Sequence, residues 1–292
     1  MTIPAALVGM TLGPVVHDVD LRWTMAYAAG LGDHQPCYLD TTRPGGVVAH
    51  PLFAVCPEWP VIVASRELSE SAGVTRAEVI TGVHATHDVT IHRLVRPGDR
   101  LSTTLGIVGL VDKRPGAFST TRLETVDADG RPVASTTQGS IYLNVPASGE
   151  PHPDPAPPPA IEGSERRGEP VTHLGPRTAG AAHVYTECAR IWNPIHTDPQ
   201  VAMAAGLSNI ILHGTANLAH AVSIIVASVA DNDPTQVRRI AGRFAAMVPL
   251  PSTLTVNVWP ANSTGDERRT VPFEVLNGAG QPAVQNGCII LG

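Results

Sequence analysis

The stretch Tyr185–Gly214 reads YTECARIWNPIHTDPQVAMAAGLSNIILHG, and most of the legible chemistry of the chain lies in it. Asn193-Pro194-Ile195-His196 is a polar turn, because proline fixes φ and removes a backbone donor, so neither helix nor central strand runs through it. A small-residue helix, VAMAAG, follows, and a His-Gly pair, His213-Gly214, closes the stretch. The imidazole of His196 titrates near neutrality and can exchange a proton with water or substrate.

Working outward, the same layout occurs earlier in the chain. AYAAGLGDHQPCYLD in the first half lies on VYTECARIWNPIHTD in the second, so that Tyr27 meets Tyr185, Pro36 meets Pro194 and Asp40 meets Asp198. His50 meets His213 once the second copy is given a short insertion. Late in each copy DADGRPVASTTQGSIYL matches LNGAGQPAVQNGCIIL, with Gly130 on Gly280, Pro132 on Pro282 and Gly139 on Gly287. So many shared Gly, Pro and aromatic positions identify an internal duplication. Between the copies runs a segment too rich in proline for helix or sheet. The organisation expected is therefore residues 1–146, a linker over 147–170, and residues 171–292.

Within each copy a short strand precedes the polar turn. An apolar helix follows, expected over Ala216–Ala230 in the second copy and near Pro51–Arg66 in the first. There Pro57 and Pro60 imply a late start or a kink. Alternating, turn-bounded strands come next, such as VHATHDVTIHRLV and RLSTTLGIVGLVD, with Asp-Gly and Gly-Ala-Gly supplying positive φ at hairpin turns. One helix followed by antiparallel strands gives an α+β fold, a helix wrapped by a curved sheet.

Composition narrows the function classes. The chain has 292 residues, 43% hydrophobic and 16% charged, with a net charge of −6. Lys113 is its single lysine, which argues against a nucleic-acid partner. Cys37, Cys56, Cys188 and Cys288 show no metal or redox spacing and read as reduced thiols. The N-terminal stretch lacks a basic region, and the apolar run Leu218–Ala230 is too short to span a bilayer. A cytoplasmic protein with no membrane association is expected. His84, His87 and His92 on one strand are read as structural, not metal-binding, with His84 and His92 on one face and His87 on the other. No cofactor or metal motif is present.

The Tyr185–Gly214 stretch resembles the signature of the MaoC-like, (R)-specific enoyl-thioester hydratases and dehydratases: Tyr, a short spacer, Ser-Gly-Asp-x-Asn-Pro-Ile-His-x-Asp-Pro, then His-Gly. The resemblance sharpens the fold to a double hotdog, two hotdog domains in tandem. It implies a substrate that is an acyl thioester of coenzyme A or a carrier protein, and it admits a homodimer. It further implies catalytic roles for His196 and Asn193, with Gly214 as oxyanion donor and His213, Tyr185 and Ile191 completing the substrate-binding set. Arg93 and Arg96 match the family's strand entry and are placed to meet coenzyme A phosphates.

One position departs from the pattern. Where the family has its catalytic Asp, this chain has Ile191, which neither accepts nor donates a proton. Two acids are candidates to replace it. Asp33 is the repeat equivalent of Ile191, while Tyr38 stands where the second copy has His196; one copy thus keeps the acid and the other the base. Glu58, near the start of the first-copy helix, could act across the two halves as in related hotdog dehydratases. Asp33 is otherwise a turn residue and Glu58 a helix first-turn residue favoured by the dipole. The expected function is hydration of an enoyl thioester or dehydration of a 3-hydroxyacyl thioester. The alternative is a hotdog protein with altered function, either a biosynthetic cyclase or isomerase or a non-catalytic acyl-thioester or polyketide binder.

Overall fold

The computed structural model describes residues 2–263 and 268–292. The first half contains β1 (Ile3–Pro4), β2 (Thr11–Asp18), α1 (Leu21–Leu31), α2 (Pro36–Leu39), α3 (Val55–Ser71), α4 (Arg76–Val79), β3 (Gly82–Ile91), β4 (Arg100–Lys113), β5 (Gly116–Val126), β6 (Pro132–Leu143) and β7 (Ala147–Ser148). The second contains β8 (Val171–Arg177), α5 (Ala181–Ala189), α6 (Pro199–Ala204), α7 (Gly214–Ser228), β9 (Val237–Phe244), β10 (Ser252–Val258), β11 (Asn262–Ser263), β12 (Arg269–Leu276) and β13 (Pro282–Leu291). One continuous sheet runs β2-β4-β5-β6-β3-β9-β13-β12-β10-β8. Its two halves join where β3 pairs antiparallel with β9, Val89 opposite Ile240.

The duplication is visible in local physics. At the late hairpin of each half, Gly130 (φ 77°) and Gly280 (φ 75°) adopt the left-handed conformation that costs glycine least. Each turn is held by one side-chain acceptor, Asp127 in the first half and Asn277 in the second, receiving two backbone N–H groups. A β-carbon on Gly139 would overlap the ring of Phe118, and one on Gly287 the ring of Phe273. Tyr27 and Tyr185 meet across the pseudo-symmetry axis with their hydroxyls 3.3 Å apart.

The two long helices differ. α7 buries Leu218, Val222, Ile225 and Val226 completely, each a side chain whose burial stabilises by about 1.5–3 kcal/mol, and packs on β9, β13, β12 and β10. α3 starts four residues later than expected, at Val55, after consecutive i→i+3 turns over 51–54. Pro57 falls in its first turn, where no donor is needed, and Pro60 lies inside it. α3 packs chiefly on β2 and β4.

The proline-rich segment crosses the sheet face opposite the helices and is tied to both halves. Ala147–Ser148 pairs with β1, Asp154 meets Arg122, and Pro159 accepts from Arg239. Arg166 pairs with Glu274 and lies over Trp259.

One face assignment is corrected. A register shift between His84 and Thr86 inserts an extra residue into β3, and a bulge inverts the alternation beyond it. His84 and His87 therefore share a face, their ring centroids 5.4 Å apart. His92 is exposed and bonds Ser135.

Candidate active site

The polar turn folds as a single 3-10 turn, Pro194–His196. Its proline carries no donor to lose at that position, and the His196 N–H donates to Asn193 O at 3.1 Å. The turn carries the His196 ring inward, where Nδ1 lies 2.8 Å from the carbonyl of Ile211. A carbonyl only accepts, so Nδ1 carries the hydrogen and the Nε2 lone pair is left bare. Nε2 has no partner among the described residues, and it is not sealed from the surface, so it faces accessible space. Burial pushes the His196 pKa down to about 4, which keeps the ring neutral and its Nε2 lone pair free at pH 7.

His213 stacks on this ring, centroids 3.6 Å apart and planes 23° apart. Its Nε2 faces both Thr186 Oγ1 at 3.3 Å and Ile191 O at 3.4 Å, which assigns the hydrogen to Nε2. Burial first, then the neighbouring His196, holds the His213 pKa well below the usual histidine range. Two stacked imidazoles cannot both be charged cheaply in so dry a place.

His213 is also the residue from which α7 springs. Ala216 N and Asn217 N both donate to His213 O, and no side chain caps the helix. The N–H groups of Gly214 and Thr215 make no hydrogen bond to a described residue. An uncapped N-terminus of a 15-residue helix, next to an imidazole with a bare lone pair, is a place for developing negative charge. Tyr185 donates to Thr215 Oγ1 at 3.1 Å, fixing this first turn against α5. A β-carbon on Gly214 would come within 3.1 Å of the Phe244 ring.

On the outer side of the turn lies a groove of about 320 Å³ lined by His183, Thr186, Glu187, Trp192, Asn193, Pro194 and Thr197. The Asn193 side chain makes no hydrogen bond to a described residue. Ile191 is buried in the core. Its backbone carbonyl faces the Nε2 of His213.

The structure does not bring the two candidate acids to His196. Asp33 sits in the first half's own polar turn: Oδ1 accepts from Gln35 N and Oδ2 is buried without a partner. Its pKa is raised by burial, against which the neighbouring Ser223 hydroxyl of α7 acts in the opposite direction. The surroundings are Tyr38, whose hydroxyl is buried and unpartnered, and His50, whose Nε2 lies 3.2 Å from Ser223 Oγ. Glu58 is buried beneath its own half-sheet, accepting from Thr136 Oγ1 at 2.5 Å, and burial raises its pKa to about 8. Burial lowers the His196 pKa and the Ile211 carbonyl opposes it, with neither acid among the causes. Equivalent positions in a pseudo-dimer belong to opposite sites, and α3 is turned toward β2 and β4. Arg93 is likewise engaged, gripping Asp99 through two bonds and reaching Asp127, while Arg96 bonds Gly45 O.

Thr186 and Thr215 escaped sequence reading. Each stands beside a motif residue and is joined to its partner only by the fold.

Comparison with known proteins bears on the family and the fold. Residues 170–279 match the family model described as MaoC like domain, and residues 6–136 match the FAS1-like dehydratase domain region. The second half of the chain is a MaoC like domain, and the whole chain has the double hotdog fold. A MaoC-like dehydratase from Phytophthora capsici superposes on this protein with a TM-score of 0.77, at 20% identity, covering 98% of this chain and 96% of that one. A Mycobacterium tuberculosis protein described as a double hotdog fold gives 0.65 at 16% identity, covering 97% and 96%. Enoyl-CoA hydratase ChsH3 of M. tuberculosis is 43% identical over 100 residues, 34% of this chain and 32% of that protein. Peroxisomal enoyl-CoA hydratase 2 of Arabidopsis thaliana is 35% identical over 91 residues, 31% and 29%. The matches to these curated relatives span about a third of their length or less. Among the described residues no helix is long and apolar enough to cross a membrane.

Proposed function

We propose that this protein adds water to an α,β-unsaturated acyl thioester, or removes it from the 3-hydroxyacyl thioester, with one imidazole as both base and acid. The observation that carries the reading is the Nδ1–H···O=C bond from His196 to Ile211 beside the uncapped start of α7. That bond leaves Nε2 as the only basic nitrogen of the ring, while the Gly214 N–H is available to the thioester oxygen. The match of residues 170–279 to the MaoC like domain and the names of the hydratase relatives support it.

Water gives a proton to Nε2 as its oxygen bonds to Cβ, and the π electrons move toward the thioester carbonyl, whose oxygen gains charge. Gly214 N–H, at the positive end of the helix, stabilises that charge. The imidazolium then returns the proton to Cα, so one water is added and the ring is neutral again. His213 braces the ring, and Asn193 at the groove mouth orients the water or the thioester. Ile191 contributes a dry wall and a backbone acceptor in place of a second acid–base group. The test is loss of the enoyl absorbance of crotonyl-CoA with the purified protein, and its absence in His196→Ala. Tight binding of enoyl thioesters with no turnover in the parent protein would overturn the hydratase reading and favour the binding or altered-reaction alternative that Ile191 allows.

A further inference from the structure

The unequal helices leave the two half-sheets with different linings. Under α7 the second half places Val284, Ile289 and Leu291 of β13. The corresponding strand of the first half, β6, alternates Thr136, Gln138, Ser140 and Tyr142 on its helix-facing side. β3 adds His84 and His87 to that face through its bulge. The middle of α3, residues 62–66, and the start of β3, residues 82–86, are only half-buried, as expected where the helix has moved toward the sheet edge.

Several of these polar groups are unmatched among the described residues. His87 is 2% exposed, and neither ring nitrogen has a partner. His84 uses Nε2 on Thr86 O, leaving Nδ1 as an acceptor. Gln138 reaches Ser140 only at 3.5 Å. Arg66 stacks on Trp59 and has no ion pair among the described residues. Burying such groups unsatisfied forfeits the hydrogen bonds they made to water, so a site that keeps them has a partner for them in another state. Their position relative to α7 supplies one. The Phe244 ring lies against both His84, at 4.6 Å between centroids, and the Gly214 position. A single aromatic ring thus separates the proposed oxyanion donor from the histidine pair.

We infer that the acyl group received by this site bears an oxygen function, hydroxyl or carboxylate, several bonds from the thioester, which hydrogen-bonds to His84 and His87. The inference rests on the hydratase reading for the identity of the thioester and adds the class of acyl chain. A hydroxyl satisfies a neutral imidazole as both donor and acceptor; a carboxylate draws also on Arg66.

The experiment compares kcat/KM for three 2-enoyl-CoA esters of equal chain length, ending in methyl, hydroxyl or carboxylate. The oxygenated esters are expected to be preferred by about 10- to 100-fold, the usual consequence of a buried polar group left unpaired by the plain analogue. The better of the two identifies the function. His87→Leu should bring the ratio close to one while the melting temperature stays level or rises, because no native hydrogen bond is lost; His84→Leu, read the same way, serves if that variant does not fold. A methyl-ended ester preferred by the parent protein, with a ratio unmoved by His87→Leu, overturns the inference and leaves the hydratase reading standing. If no ester is turned over, the hydratase reading fails. The inference is then decided by whether saturated oxygenated acyl-CoA esters raise the melting temperature more than the plain ester does.

Discussion

The two polar turns of the repeat, Asp33–Tyr38 and Ile191–His196, occupy equivalent places and differ in what they can titrate. In the second half an imidazole is held by a backbone carbonyl, stacked on His213 and open at Nε2. In the first half a phenol replaces the imidazole, fully buried and without a hydrogen-bond partner for its hydroxyl. The acid remains in that half, but its neighbours are Tyr38 and His50, and it is held by Gln35 and Ser223. The surviving carboxyl and imidazole have different surroundings, Asp33 beside Gln35 with Tyr38 and His50 nearby and His196 against Ile211 and His213, so under the proposed reading they do not form one composite centre. The lesson extends to the helices: the half that keeps its base also keeps a centrally packed helix, whereas the other has an off-centre helix and a polar wall.

The comparison is broken most sharply by His196→Ala against Asp33→Asn. The first should lower enoyl-CoA hydration by roughly 10²–10⁴, the worth of a positioned acid–base group. The second should stay within about twofold, measured by loss of enoyl absorbance; comparable losses would show that the halves share one centre.

Ile191→Asp restores to the second turn what the first retains. A gain in hydration of about tenfold is expected from a second group on the water. Placing a carboxyl at a buried apolar position should lower stability by about 1–3 kcal/mol, read by urea denaturation. An unchanged rate in a folded variant would show that position 191 does not face the water.

Acid titration sharpens the contrast between base and buried acid. Burial lowers His196 and His87 to about 4, and His50, His84 and His220 to about 3. Folded values below the unfolded one mean that stability is full above about pH 6.5. It is lost as pH falls toward 4, because the unfolded chain binds protons first, by up to about 1.4 kcal/mol per pH unit for each ring. Glu58, raised to about 8, has the opposite sign: its contribution is complete below about pH 4.5 and is lost as pH rises through 8. Denaturation midpoints should therefore fall steeply from pH 6.5 to 4.5, since the histidines outnumber Glu58. The smallest effect is expected from Glu58→Gln, which should change hydration less than about twofold and flatten the stability loss between about pH 6.5 and 8, where the histidine contribution is already level.

Much of the fold was readable because its signals are local. Turn glycines with positive φ, prolines that end elements and strict alternation each act within a few residues, and the repeat doubled every signal. The late start of α3 was foreshadowed by Pro57 and Pro60. The shared face of His84 and His87 was not, because the bulge that flips the alternation depends on how β3 pairs with β6. In the site, His196 and Gly214 stood out by motif. Thr186, Thr215 and Phe244 did not, since each acts through a partner remote in sequence. Glu58 and Asp33 were reasonable acids by position, and only the packing of α3 and the turn around Ser223 placed them elsewhere.

By itself the sequence determined the duplication, an α+β fold and the single imidazole of the second turn, because covalent constraints on φ and the periodicity of burial belong to short segments; the double hotdog came from the resemblance of Tyr185–Gly214 to a known signature. Tertiary structure alone decided which tautomer His196 takes, that His213 stacks on it, and that the acids lie apart. Hydrogen-bond direction and burial are set by atoms that meet only after the sheet closes around its helices.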